Sequence, residues 1–121
     1  MRPNDTLKNL RPLIQKENSE SNELEQFQNE VLRPILKLQH EIFQIEWSRN
    51  PVFEILQSIE NPILQRSKLA NLLSKTPGLV HRYIGMIIGL FSEEEFQFYL
   101  RNKNAVDKRI KELLITRLLS Y

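Results

Sequence analysis

The chain has 121 residues, with 17 Lys and Arg against 15 Asp and Glu and a net charge of only +2, so no charge excess marks it for nucleic acid. It has no cysteine, which excludes disulfides and thiolate metal sites and suits a reducing cytoplasm. The length implies one domain able to bury about two-thirds of its unfolded surface. Residues 1–10 lack the apolar core of a signal peptide, so a cytoplasmic location is expected.

Residues 1–20 hold two prolines, scattered charges and a Ser/Asn/Glu cluster, with only Leu7, Leu10, Leu13 and Ile14 able to pack. They are expected to form a partly ordered arm with one short turn around 7–10, ahead of a single helical domain over 21–121. Asn22 followed by Glu25 resembles a capping box, and Leu24, Phe27 and Val31 recur behind it at helical spacing. Pro34 lacks an N–H and restricts Arg33, so a break or kink is expected there, with the helix restarting on the proline.

From 34 to 49 the apolar residues form two stripes about 100° apart. Ile35, Leu38, Ile42 and Ile45 make one; Leu36, Phe43 and Trp47 make the other. Gln39 and Glu46 fall between them as a polar seam. Either they reach solvent or a nearby backbone, or they face a ligand. Buried charges are rare without partners, which favours the first reading.

Asn50-Pro51, Asn61-Pro62 and Thr76-Pro77 each place a capping residue before a proline, a helix-start signal. They predict helices over 51–59 and 62–74, the second with Ile63, Leu69, Ala70 and Leu73 on one face. A third then covers 79–91. That segment has no charge after Tyr83 and apolar residues on every side, the pattern of an enclosed helix. At about 13 residues it is shorter than the roughly 20 needed to cross a bilayer. Gly85 and Gly89 share one face, which suggests a closely packed neighbouring backbone, with a ligand slot as the alternative.

Ser92 and Glu95 make a standard capping box, flanked by Phe91 and Phe96 as a hydrophobic staple. A short helix to about residue 100 follows. The last helix spans 105–119, with Val106, Ile110, Leu113, Leu114 and Leu118 inward and Ile115 and Leu119 on the far side. Either the arm covers those two, or a second chain does, or they are scattered surface residues without a role.

Motifs of catalysis are missing. His40 and His81 have no metal-binding spacing, and no nucleophile elbow or phosphate loop occurs. No metal or cofactor is expected, and the balance leans against an enzyme. Arg101, Lys103, Lys108, Arg109, Lys111 and Arg117 form the main basic run, which without interleaved aromatics reads first as a solvated face.

Two segments, FQNEVLRPILKLQ at 27–39 and IGMIIGLFSEEEFQFYL at 84–100, resemble a family of small uncharacterised bacterial helical proteins often labelled "glyoxalase". The resemblance implies an all-helical fold and brings no catalytic residues with it. True glyoxalases resemble βαβββ modules with histidine and glutamate metal ligands, and this chain offers neither strands nor that ligand set.

The reading is therefore an all-α bundle of five to seven helices around a buried helix at 79–91. It is expected to be a protein-interaction module that binds a second copy of itself or another protein through Ile115 and Leu119. The alternative is an enzyme or small-ligand binder with Gln39, Glu46 and His81 facing the ligand. Nucleic-acid binding through the C-terminal basic residues comes third, and no membrane contact is expected.

Overall fold

The computed structural model describes residues 1–12 and 22–121; Leu13, Ile14 and most of the Ser/Asn/Glu cluster lie outside the described residues. Among the described residues the chain is all-α, with no strand. The arm carries one short helix, α1 (Asn4–Asn9). Asn22 Oδ1 accepts the N–H of Glu25 at 2.8 Å and opens α2 (Glu23–Phe27).

Instead of breaking at Pro34, the helix widens ahead of it. Residues Gln28–Leu32 form a π turn, with the Arg33 N–H reaching back to Gln28 O, and α3 (Arg33–Leu38) runs on through Pro34. A proline clashes with the carbonyl four residues earlier, and one extra residue in the turn relieves that clash. The true joint is Gln39, at φ −89° and ψ 7°, after which α4 (His40–Ser48) begins.

The remaining helices are α5 (Pro51–Gln57), α6 (Pro62–Lys75), α7 (Pro77–Ile88), α8 (Glu93–Arg101) and α9 (Lys103–Leu119). With α2, the π turn and α3 taken as one, residues 22–121 form seven helices. Asn50 and Asn61 cap α5 and α6 through their side chains, each accepting an N–H at 2.9 Å. Thr76 does not cap α7, because its hydroxyl donates back to Leu72 O at 2.6 Å. The Ser92–Glu95 box is reciprocal: Ser92 Oγ accepts the Glu95 N–H, and Glu95 Oε1 accepts the Ser92 N–H. Of the two expected staple residues, Phe91 turns edge-on to Phe27 in the core while Phe96 stays exposed.

Residues 79–91 supply the core with Val80, Tyr83, Ile84, Ile87 and Phe91. Their burial is one-sided, however. Arg82, Gly85 and Gly89 are exposed, and among the described residues no helix lies over that face of α7. The centre is shared with α9, whose Val106, Ile110, Leu114 and Leu118 are fully enclosed. At 17 residues α9 is long enough to meet α4, α6, α7, α8 and the π turn.

One of the two apolar stripes on α4 is also left outside. Phe43 and Trp47 are buried, whereas Ile42 and Ile45 are 50% and 62% exposed. Phe43 meets Tyr83 edge-on at 5.1 Å. Helix α7 thus closes over the polar seam, and Ile42 and Ile45 lie beyond it. Ile63, expected inward, is exposed at the start of α6.

Ile87 is wholly inaccessible, so Ile87→Asp would bury an unpaired charge at several kcal/mol. Circular dichroism should show loss of the cooperative melt; a soluble, cooperatively melting variant would contradict this packing.

Candidate functional site

The open face of α7 is where a groove forms. Gly85 and Gly89 lie one helical turn apart on this face, with right-handed backbone and no positive φ. A Cβ on Gly85 would have nothing within 4 Å, and one on Gly89 would meet only Gly85 O. Among the described residues, close packing of a neighbouring backbone is therefore not what these glycines serve. They line a groove of about 510 Å³, walled by Ile88, Phe91 and Phe96 and bounded by Arg2 and Glu93.

A turn held from outside shapes one end of the groove. Carbonyls at a helix C-terminus lack intrahelical partners, and after α7 they belong to Gly89, Leu90 and Phe91. Arg2 donates to Phe91 O at 2.7 Å and to Gly89 O at 2.6 Å. Arg11 donates to Leu90 O at 3.0 Å and makes a bidentate pair with Glu95 at 2.8 and 2.6 Å. Asn4 Oδ1 accepts the Glu93 N–H at 3.0 Å. Cations here also suit the negative end of the helix dipole.

Glu95 thus serves both the capping box and the arm. Burial pushes its carboxyl up, but the Arg11 and Ser92 hydrogen bonds and the Arg11 charge outweigh that and hold it below the usual value. The pair is mostly enclosed, with side-chain exposures of 7% and 12%.

The residues singled out from the sequence do not meet at one point. Gln39 donates to Met86 O at 3.0 Å, and Glu46 pairs with Arg82 at 3.1 Å. Both ties join α4 to α7 along the seam. His81 instead lines a cleft of about 320 Å³ with Lys108 and Lys111, a lining that includes neither Gln39 nor Glu46. Ile115 and Leu119 are half-buried and pack against the core, while Arg2, Asn4 and Arg11 of the arm hydrogen-bond to residues 89–95.

The basic run is also dispersed. Lys103 pairs with Asp107, Arg109 reaches Gln28, and Arg117 reaches His40. Lys108 and Lys111 line one groove and Arg117 another. Among the described residues no cluster of three His, Cys, Asp or Glu could hold a metal, and no helix is long and apolar enough to cross a membrane.

Arg2 and Arg11 escaped the sequence reading because nothing local distinguishes an arginine in a polar arm. The spacing of Gly85 and Gly89 was the one signal for the groove. No protein-family profile, curated protein or solved structure matches the chain.

The Glu95 contacts set a pH dependence. Because the folded carboxyl lies below its ordinary value of 4.5, the stability it contributes is full above that value and is lost as pH falls through the lowered one. Arg11→Gln should cost about 3 kcal/mol at neutral pH and flatten this acid limb. Urea melts across the acid range check it, and an unchanged limb in the variant would disconnect Arg11 from Glu95.

Proposed function

We propose that the chain is a helical interaction module that receives an apolar helix of another protein in the groove between α7 and α8. The observation that carries this is the pair of exposed glycines. Gly85 costs about 1 kcal/mol in the interior of α7 relative to alanine, and Gly89 stands beside it as the C-cap. Neither is required by a positive φ, and among the described residues no helix covers them. The remaining use of Gly85 is close approach by a backbone from outside, as small residues four apart allow.

The walls support the same reading. Ile88, Phe91 and Phe96 are apolar, and Phe96 is 40% exposed, as for anchors of a helix-in-groove contact. Arg2 and Glu93 put one charge of each sign at the rim, where they would orient the partner more than hold it. Except for Arg2, the groove is built within residues 84–100, one of the two segments that resemble the small helical bacterial family. A cysteine-free chain suits a partner in the cytoplasm. A second copy of this chain is a possible partner. A ligand site on the Gln39–Glu46 seam is less well supported, because both side chains are engaged with α7.

Gly85→Ala adds a methyl group in open space and should stabilise the isolated chain by about 1 kcal/mol. Gly85→Leu should fill the groove without unfolding the protein. Capture from the native cell with wild type and Gly85→Leu, alongside solution mass, tests the reading. Proteins held by wild type and lost with Gly85→Leu support it, as does a wild-type dimer that becomes monomeric. Identical capture by both, with both monomeric, would end it.

A further inference from the structure

A second groove, between α3 and α9, carries a different chemistry. It encloses about 370 Å³ between α3 and α9, and Arg33, Lys37 and Arg117 all line it above Leu36 and Leu113. No carboxylate is in its lining, and no ion pair among the described residues reaches any of the three cations. Arg33 and Lys37 are one turn apart on α3, a like-charge spacing that destabilises a helix. Arg117 adds a third positive charge from another helix.

Helix-end chemistry accounts for part of this arrangement. Lys37 and Arg117 sit in the last turns of α3 and α9, where a cation suits the dipole. Arg33 stands at the opposite end of α3, so the dipole does not explain it. Two of the three cations are also held in place by neutral partners. Arg33 Nε donates to Asn29 Oδ1 at 3.0 Å, leaving both terminal nitrogens available. Arg117 Nη1 meets His40 Nδ1 at 3.1 Å. A guanidinium can only donate, so that nitrogen accepts, and Nη2 of Arg117 stays available. His40 is steadied in turn by the Tyr121 ring, 4.9 Å away, and by the Tyr121 hydroxyl, which donates to its carbonyl.

Hydroxyls complete the rim. Ser120 and Thr116 line the groove, and Thr116 Oγ1 accepts from Arg66 at 3.2 Å, which brings a fourth cation, the third guanidinium, to its edge.

We infer that this groove binds the phosphate group of a small soluble molecule. Planar guanidiniums anchored through one nitrogen present parallel donors matched to phosphate oxygens. An anion would also cancel the repulsion among Arg33, Lys37 and Arg117. The apolar floor of Leu36 and Leu113 suits the organic part of a phosphate ester. A nucleic-acid strand fits less well: Lys108 and Lys111 line a separate cleft with His81, so no continuous basic track follows α9.

The full chain titrated with inorganic pyrophosphate, by calorimetry and by thermal melting, tests this. Wild type should bind with a Kd of about 1 mM or tighter and melt at a higher temperature with the anion present. Arg33→Gln and Arg117→Gln should each weaken binding about tenfold, while Lys108→Gln with Lys111→Gln should not. The melts also show that each variant is folded. Absence of pyrophosphate binding overturns the inference, as does equal weakening in the Lys108/Lys111 variant. A short single-stranded oligonucleotide that binds more tightly than pyrophosphate and needs Lys108 and Lys111 would replace it with a nucleic-acid surface.

Discussion

Burial of one apolar stripe on α9 is the constraint on which the arrangement depends. Val106, Ile110, Leu114 and Leu118 are spaced at i, i+4, i+8 and i+12 and are all almost wholly enclosed. A straight helix presents such a row along one side, and α4, α6, α7, α8 and the π turn all meet it. Because those partners approach α9, each of them turns its own apolar residues toward the same axis. The faces turned away are left to solvent or to the arm, and both grooves considered above lie on the flanks that result.

The corner between α7 and α8 is assembled from three separate features. Two glycines keep the outer face of α7 low, and a capping box sets the direction of α8. The arm then supplies two guanidiniums to carbonyls that the end of a helix leaves without partners. Glu95 ties these features together, because its two oxygens serve both the Ser92 N–H and Arg11. Such a shared carboxylate couples the placement of the arm to the geometry of the groove wall. A change at either end is therefore felt at the other.

Charge is treated differently at the two ends of α9. At its start Asp107 accepts from both Lys103 and Tyr99, so the cations nearby are partly balanced. Burial first, and then this carboxylate, push the Tyr99 phenol far above its ordinary value. Near its end Arg117 is held by an imidazole, and the cations facing it from α3 have no acid between them. Local rules are usually obeyed where nothing but stability is at stake, so the uncompensated side is the informative one.

Sequence alone determined the helices and most of their starts. Proline at the first helical position, asparagine before it and a Ser-x-x-Glu box act over three or four residues, so they are legible without a fold. The stripe on α9 was legible for the same reason, since its period is local. What only the tertiary structure decided was which of two equally periodic faces on α4 goes inward. Ile42 and Ile45 repeat as regularly as Phe43 and Trp47, and only the approach of α7 leaves the isoleucines outside. Pro34 was misleading in the opposite sense: its clash is real, but a π turn upstream absorbs it. The destination of Arg2 and Arg11 and the openness of the glycine face depend on contacts some 80 residues away in sequence. No local pattern encodes these, because they are fixed by where the packing of other helices leaves a carbonyl, or a face, uncovered.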